Sequence, residues 1–451
     1  MSPLSALIIS RIENRLEAAR SLLDTGAIGL ISLTLSVPNL SFDQVPQNLE
    51  SMRYWARPQE GHYVLGMGQV VVKRAACENR FSDLSAFHHQ LKENWQCLDP
   101  DKTGRQPLLF TGFAFSDDQS HEVFPNASIM LPLLLLERVD EVTCLTLSWD
   151  MKPGDCAYSV LPHWKKAVRD VIETLSMTRM SEVSLSNRLT RVSSYPQNDI
   201  WLARVGQALA SIKDGELEKV VLTRRIAVQG ERPFSLSRLI SSLSDHHANC
   251  TIIAQSGARG IAVAATPEGL IRLVNGVVKS DALAGTMKNG CQDMTDKDRH
   301  EHQLVVDMIR ARLTPLCDDI VVSDEPSILK LRALNHLWTP IQAQAKPGVN
   351  LLDFAAALHP TPAVGGTPQI AALKWLQRHQ EDRLGWYTGA FGWMTPQGDG
   401  DLNVILRCAL INGDRAELSA GAGIVSGSDP QAELCETELK LKTMLDELEG
   451  A

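Results

Sequence analysis

Residues 421–442, GAGIVSGSDPQAELCETELKLK, lead from a glycine-rich segment into a helix, and the rest of the chain is organised around them. Gly421-Ala422-Gly423 predicts a turn, because glycine tolerates backbone angles that other residues avoid. Asp429 and Pro430 predict a helix start: aspartate caps free N–H groups, and proline suits the first helical position. A glycine-rich loop beside a helix N-terminus is an arrangement that binds anions.

Three charged side chains share one face of this predicted helix. Spacings of three and four place Glu433, Glu436 and Lys440 on the same side. Two carboxylates and an ammonium group above a glycine-rich loop can hold a hard cation and an anionic ligand together. The alternative is a solvated helix face with an ordinary Glu-to-Lys pair. The stretch alone does not decide between these interpretations.

The bulk composition limits the classes of partner. The chain has 451 residues, 44% of them hydrophobic and 22% charged, which suits two or three globular domains or one large one. Acidic residues outnumber basic ones by 53 to 44, and the net charge of −9 argues against a nucleic-acid partner. An anionic substrate therefore needs a locally positive pocket or a metal ion.

Cysteines and apolar segments indicate the compartment. The nine cysteines are scattered, without CxxC or Cys/His zinc spacing, as is typical of buried thiols in a reducing compartment. The N-terminal segment has no basic leader and does not predict a signal peptide. The longest apolar block, residues 129–136, contains Pro132 and is too short to span a bilayer. We therefore expect a cytoplasmic protein with no membrane partner.

The first part of the chain, residues 1–195, predicts mainly strands after one amphipathic helix. Short β-branched and aromatic runs are punctuated by Gly, Pro, Asp and Asn. The segment 178–198, rich in Ser, Arg and Asn, predicts a connection to the second part. The predicted strands lie at residues 29–37, 63–72, 108–115 and 142–149, and the predicted helices at 83–94 and 164–177.

The second part, residues 196–451, alternates groups of strands with longer helices. Such a pattern predicts an α+β fold with large sheets covered by helices. Predicted helices lie at residues 200–212 and 295–313 and from Pro368, and a loop at 358–366. Predicted strands begin at Glu218 and lie at residues 250–254, 261–265, 269–273, 276–280, 386–393 and 402–410.

A second acidic pair lies on the long helix at residues 295–313. Asp298 and Glu301 have the same spacing as Glu433 and Glu436. All four are oxygen ligands, so their convergence on one ion would favour magnesium, which keeps several waters and bridges to anionic substrates. The alternative is that two surface helices each carry such a pair.

Three further side chains are candidates for acid, base and anion binding. Lys219 lies in an apolar strand, where desolvation lowers the pKa of a lysine and prepares it as a base; the alternative is an edge-strand lysine that prevents sheet association. Glu268 follows Pro267, and shielding would raise its pKa and make it an acid. Arg407, predicted in mid-strand, either binds a carboxylate or faces solvent.

Seven stretches, in order, resemble the chorismate-utilising enzyme family. Together they are specific, although each alone is weak, and they span the chain from about residue 200 to its end. They are ELEKVVLTR (216–224), ATPEGL (265–270), DALAGT (281–286), EHQLVV (301–306), LHPTPAVGG (358–366), WYTGAFGW (386–393) and GAGIVSGSDPQAELCETELK (421–440).

The resemblance implies one large α/β sandwich of two β-sheets covered by helices, built from both parts of the chain. Within the family it is strongest to isochorismate synthases. With lysine at position 219, the chain resembles the family members that activate water rather than ammonia. The resemblance therefore implies no glutaminase subunit. The extended N-terminal part resembles the menaquinone-pathway form. Alternatives are a salicylate synthase, a siderophore-pathway isochorismate synthase, or a chorismate-binding regulator without catalysis.

The resemblance also implies roles for individual residues, with chorismate and isochorismate as ligands and Mg²⁺ as cofactor. Lys219 is implied as the general base and Glu268 as the general acid. Glu301 and Glu436 are implied as direct magnesium ligands, with Asp298 and Glu433 in the water shell. The implied substrate-binding residues are Leu283, Ala284, Gly285, Thr286, His336, Thr361, Tyr387, Arg407, Gly421, Gly423 and Lys440.

Overall fold

The structure is a computed structural model that describes residues 3–24, 28–40, 42, 45, 51–118, 124–177, 186–288, 295–332 and 334–451. Its helices are α1 (Pro3–Ala18), α2 (Arg20–Leu23), α3 (Arg80–Glu93), α4 (Ala157–Met177), α5 (Asn198–Lys213), α6 (Leu236–His246), α7 (Asp296–Leu313), α8 (Leu351–Leu358), α9 (Gln369–Arg378) and α10 (Pro430–Glu449). None of these helices is both long enough and apolar enough to cross a membrane.

The strands of the described residues fall into two sheets. They are β1 (Gly29–Val37), β2 (Arg53–Arg57), β3 (His62–Met67), β4 (Val71–Ala75), β5 (Trp95–Leu98), β6 (Leu109–Phe113), β7 (Ala127–Leu131), β8 (Leu134–Val139), β9 (Val142–Met151), β10 (Leu189–Tyr195), β11 (Lys219–Gly230), β12 (Thr251–Gly257), β13 (Gly260–Thr266), β14 (Gly269–Val274), β15 (Val277–Lys288), β16 (Cys317–Val322), β17 (Ser327–Lys330), β18 (Leu334–Ala345), β19 (Gly366–Thr367), β20 (Ala390–Met394), β21 (Gly400–Val404), β22 (Cys408–Asn412) and β23 (Arg415–Val425).

Each sheet contains strands from both parts of the chain. The larger sheet has the order β10-β11-β23-β22-β13-β12-β2-β3-β8-β9-β1-β5, with β19 also paired to β11. The smaller has the order β16-β18-β15-β14-β21-β20-β6-β7-β4, with β17 also paired to β18. Ala56 pairs with Ile252 in the larger sheet, and Phe113 with Ala390 in the smaller. The division at residue 195 therefore does not coincide with the division into sheets.

Three apolar clusters hold the layers together. The cluster between the sheets includes Trp55, Phe110 and Phe391, all almost completely buried. A second cluster packs α1, α4, α6 and α10 on the outer face of the larger sheet. A third packs α3, α7 and α8 on the smaller sheet and α5 and α9 on β11. Helices cover the outer faces because each sheet must bury an apolar face on both sides. The predicted α+β sandwich is confirmed.

Some predicted elements differ from those in the structure. Part of the predicted connection, residues 178–185, lies outside the described residues, but Leu189–Tyr195 forms the edge strand β10. Most of its residues are exposed, so its polar composition is that of a solvated edge strand rather than of a loop. The strand predicted from residue 386 begins only at Ala390, because residues 386–389 form a turn.

Candidate active site

Lys219 begins β11 in the interior of the larger sheet. On one side it pairs with Thr367 of β19, and on the other with Val425 of β23. The residue is completely buried, and its Nζ lies 2.8 Å from Glu301 Oε1. The edge-strand alternative is therefore wrong for this lysine.

Gly421 and Gly423 lie within strand β23, so the turn predicted there is wrong. Val221 N and Thr223 N donate outside the β11–β23 ladder, to Gly365 O and to Glu381. Their partners Gly423 and Gly421 are consequently non-hydrogen-bonded pairs, whose own N–H groups point away from β11. Because the pairing of β22 with β23 ends at Ser419, these N–H groups face open space.

The glycines are required by crowding at this strand. A Cβ atom on Gly423 would lie 2.5 Å from Glu301 Oε1 and 2.8 Å from Lys219 Cε. A Cβ atom on Gly421 would lie 3.3 Å from the hydroxyl of Tyr387. The absence of side chains therefore lets a lysine, a carboxylate and a tyrosine approach the backbone closely.

Helices α7 and α10 meet at their N-terminal ends. The predicted cap is confirmed, because Asp429 Oδ1 accepts a hydrogen bond from Ala432 N at 2.8 Å. Lys297 Nζ of α7 lies 2.5 Å from Glu433 Oε1 of α10. Glu433 is only 2% exposed, so the solvated-face interpretation is wrong at this position.

The ammonium group of Lys297 is influenced by the charges of three carboxylates. Burial lowers the pKa of its ammonium group, but the charges of Glu433, Glu301 and Glu436 outweigh burial and raise it above the ordinary value. Burial and the neighbouring Glu436 raise the pKa of Glu433, although Lys297 opposes this shift. The facing helix ends therefore concentrate negative charge in one place.

Glu436 is held as an anion. Its Oε1 lies 2.6 Å from Lys440 Nζ and accepts a hydrogen bond from Thr286 Oγ1 at 3.0 Å. Burial would raise its pKa, but the ammonium and hydroxyl groups outweigh burial and lower it. Lys440 Nζ also donates to Gly421 O at 2.8 Å, which fixes the ammonium group beside β23.

The carboxylate oxygens fit a hard cation that keeps part of its water. In the described residues no three His, Cys, Asp or Glu side chains form a ready-made metal cluster. Magnesium, however, commonly takes only one or two carboxylates and completes its shell with water and substrate oxygens. Glu301 and Glu436 satisfy this requirement. Asp298 caps α7 instead, since its Oδ2 accepts from Thr295 Oγ1 at 2.6 Å, and its water-shell role stays a prediction.

A directed hydrogen-bond chain runs from Arg407 to Glu436. Arg407 Nη2 lies 3.1 Å from His336 Nε2, and arginine only donates, so this ring nitrogen accepts. Burial, with the charges of Arg407 and Lys440, lowers the His336 pKa well below its ordinary value, so the ring is neutral and its proton is on Nδ1. Nδ1 faces Thr286 Oγ1 at 3.4 Å, and Thr286 donates to Glu436.

Arg407 does not lie in mid-strand, as predicted. It occupies the link between β21 and β22 with a φ of 46°, a left-handed conformation that few non-glycine residues adopt. This backbone turns the guanidinium group inward. Its Nη1 is buried and has no hydrogen-bond partner among the described residues, which leaves a donor available for an anion.

Glu268 lies where the chain passes from the larger to the smaller sheet. It follows β13 and precedes β14, and its carbonyl oxygen accepts from Val404 N at 3.0 Å. The side chain is buried, and burial raises its pKa to about 8, although Lys219 and Lys440 oppose the shift. The carboxyl group therefore carries a proton at neutral pH.

One cavity of about 670 Å³ brings most of the predicted substrate residues together. Thr361 is buried but does not line it, whereas Ala363 and Val364 of the same loop do. The lining residues that were predicted are Glu268, Leu283, Ala284, Gly285, Thr286, Glu301, His336, Tyr387, Arg407, Gly421, Gly423 and Lys440. Val221, Thr388 and Ser419 also line it and were not predicted.

The sequence interpretation missed Arg383, which supports three cavity walls without lining the cavity. The buried guanidinium group donates through Nη1 to Val364 O and Thr388 Oγ1, both at 2.7 Å. Through Nη2 it donates to Val221 O at 3.0 Å. No local pattern distinguishes it from the other arginines, because its partners Val364 and Val221 lie 19 and 162 positions away in the chain.

The chain belongs to the chorismate-binding enzyme family, whose match covers residues 17–449. The salicylate biosynthesis isochorismate synthase of Pseudomonas aeruginosa is 32% identical over 419 residues, which cover 88% of this chain and 84% of that protein. The isochorismate synthase MenF of Bacillus subtilis is 28% identical over 424 residues, which cover 88% of both.

Solved structures share the fold. MenF, the menaquinone-specific isochorismate synthase from Escherichia coli, superposes with a TM-score of 0.78 at 23% identity, covering 97% of this chain and 99% of that one. Anthranilate synthase component I from Streptococcus pneumoniae superposes with a TM-score of 0.67 at 18% identity, covering 85% and 92%. One fold therefore serves relatives with different names, and the site must carry the functional argument.

Proposed function

We propose that this protein is an isochorismate synthase, which reversibly converts chorismate to isochorismate with magnesium, in the form that serves menaquinone biosynthesis. The observation that carries the proposal is that Glu268, whose pKa burial raises, lines the same cavity as Glu301, while the buried Lys219 does not line it but contacts Glu301 Oε1 at 2.8 Å through its Nζ. The relatives named isochorismate synthase match almost the full length of the chain and support the assignment.

The reaction exchanges one hydroxyl group for another on the substrate ring. Lys219 accepts a proton from the water that attacks carbon 2, and Glu268 donates its proton to the hydroxyl that leaves carbon 4. In the return direction the two residues exchange these roles. A positioned acid or base typically contributes about 10²–10⁴-fold each.

The cavity also offers hydrogen-bond donors for the carboxylate groups of chorismate. The unpaired Nη1 of Arg407 and the open N–H groups of Gly421 and Gly423 are suitable for carboxylates. Tyr387 is buried, and burial raises its pKa, so it stays a neutral donor. Because the His336 ring is neutral and accepts from Arg407, it orients the guanidinium group rather than acting as a base.

Glu301 and Glu436 would hold the magnesium ion, with Asp298 and Glu433 in its water shell. When bound, the ion supplies positive charge that joins these carboxylates to an anionic substrate. In the structure Lys219 Nζ lies 2.8 Å from Glu301 Oε1, and Lys440 Nζ lies 2.6 Å from Glu436 Oε1.

Product identity tests the proposal. Chorismate and magnesium incubated with the protein should yield isochorismate, resolved by chromatography. Pyruvate release, followed with lactate dehydrogenase, would instead indicate the salicylate synthase alternative. With excess ammonium, a dominant aminated product would contradict the role of Lys219 in selecting water. Chorismate binding without turnover would favour a regulator.

A further inference from the structure

A second cavity lies between the two sheets, behind the substrate cavity. Its floor is the inner face of four adjacent strands of the larger sheet, β12, β13, β22 and β23. The registers place Gln255, Ala262, Leu410 and Glu417 in one row across these strands. Ile253, Ala264, Cys408 and Ser419 form the neighbouring row, two residues along each strand.

Small side chains on the central strands create this space. Ala262 and Ala264 on β13 pair with Leu410 and Cys408 on β22. The short alanine side chains leave space above the middle of the sheet. Three rings, of Phe124, Trp386 and Phe391, enclose the cavity from the other side. The walls are therefore mainly apolar and partly aromatic.

The cavity has one unpaired polar group deep inside and one charged group at its edge. Gln255 is 3% exposed, and its Oε1 has no hydrogen-bond partner among the described residues. Glu417 is 36% exposed and lies 3.4 Å from Arg225 Nε, so its charge is neutralised at the mouth. Burial raises the pKa of the Cys408 thiol to about 12, which keeps it neutral.

We propose that this cavity binds an uncharged, single-ring aromatic molecule that carries a hydroxyl group. Cavities with mainly apolar walls can hold benzene-sized ligands. The three rings favour edge or offset contacts with an aromatic guest. A hydroxyl group on the guest donates to Gln255 Oε1 and satisfies a buried acceptor that is otherwise unpaired. A carboxylate has no cation inside the cavity to compensate for its desolvation.

Tyr387 and Ser419 belong to the walls of both cavities. A guest that packs behind Tyr387 holds this side chain in the wall of the substrate cavity and tightens chorismate binding. Linkage requires that chorismate tightens binding of the guest by the same factor. This coupling rests on the proposed function, whereas binding of the guest by itself does not.

The binding test uses phenol, toluene and benzoate with the full chain, without chorismate, measured by titration calorimetry and saturation-transfer NMR. We expect saturable binding of phenol and toluene in this cavity; benzoate should bind only in the substrate cavity, so its binding should be unchanged in Ala264→Leu. Gln255→Met keeps the length of the side chain but removes the acceptor. The affinity for phenol should therefore fall about fivefold, while the affinity for toluene should not change. Absence of saturable phenol and toluene binding would show that the cavity is only a packing void and would overturn the proposal.

Filling variants locate the site. Ala264→Leu should abolish binding of both probes, and Ala262→Leu, at a less buried position of the same strand, provides a second test if the first variant does not fold. Ala210→Leu on the exposed side of α5 is the matched control and should bind as the wild type does. Unchanged phenol binding in a folded filling variant would overturn the assignment to this cavity.

Coupling is measured by titrating chorismate with and without saturating phenol. We expect a lower Kd for chorismate with phenol, and the reciprocal change for phenol with chorismate. An unchanged Kd would overturn the coupling. If chorismate does not bind at all, the proposed function fails, while the phenol titrations still decide the second cavity.

Discussion

Replacing Glu268 with glutamine should abolish turnover and yet stabilise the protein at neutral and alkaline pH. Glutamine keeps the shape of the side chain but has no proton to give, so conversion should stop in both directions. The carboxyl group is buried, and burial raises its pKa to about 8 from the ordinary 4.5. Glutamine avoids the cost of ionising a buried group.

The size of this stabilisation follows from the difference in pKa. Because the folded pKa is higher than the unfolded one, the folded state keeps a proton that the unfolded chain releases above pH 4.5. Glu268 therefore contributes stability below pH 4.5 that is lost as the pH rises to about 8. At 1.36 kcal/mol per pH unit, the loss is about 3 kcal/mol at pH 7 and about 4 kcal/mol at pH 8, and it approaches about 5 kcal/mol above pH 8.

Urea unfolding of wild type and Glu268→Gln at pH 5, 7 and 8.5 measures this difference, with the exposed Glu231→Gln as a control for the loss of one charge. The stability of Glu268→Gln relative to wild type should rise with pH and level off above pH 8. The kcat/KM of the wild type should fall as the pH rises through about 8, where the folded carboxyl group loses its proton. Parallel stability curves for the two proteins would refute the idea of a buried, protonated acid.

Four further substitutions test the rest of the site. Glu301→Gln and Glu436→Gln should each cause severe loss of activity with the circular dichroism spectrum retained, and full activity of both in EDTA would contradict the metal assignment. Lys219→Ala should lower turnover in both directions by about 10²–10⁴-fold while calorimetry still detects chorismate binding; near-normal turnover would place the base elsewhere. Arg383→Ala should cost about 3 kcal/mol in unfolding measurements and raise the KM; guanidinium should restore the KM, and failure to do so would indicate a purely structural role.

Local signals in the sequence were sufficient for several elements. β1 has the predicted bounds, because its apolar run is bounded by glycine and proline. Helix α10 begins as predicted because Asp429 and Pro430 act within one turn of the chain. Such features depend on neighbours in sequence, and a single chain is enough to recognise them.

Other features depend on contacts between distant residues. Gly421 and Gly423 read as a turn in the sequence, yet they lie in a strand, because Lys219, Glu301 and Tyr387 need the space of the missing side chains. The composition around a glycine does not distinguish a turn from a close approach. Only the fold brings those other side chains to the strand.

The resemblance named more of the residues that line one cavity than spacing did. Spacing placed Glu433 and Glu436 on one face, but it did not predict that α7 and α10 meet. Nor did it predict Lys297, whose ion pair with Glu433 joins residues 136 positions apart. Motif resemblance does not reach such supporting residues, since their partners are defined by tertiary structure.

The pairing of β2 with β12 has a consequence for synthesis of the chain on the ribosome. Ala56 pairs with Ile252, which is synthesised about 200 residues later, so the middle of the larger sheet cannot form until then. At roughly 5–20 residues per second, one edge of β2 stays open for about 10–40 s after it emerges. During this interval its N–H and C=O groups are a template for strands of other nascent chains. Yield of folded protein should therefore depend on translation rate and on chaperones that cover strand edges.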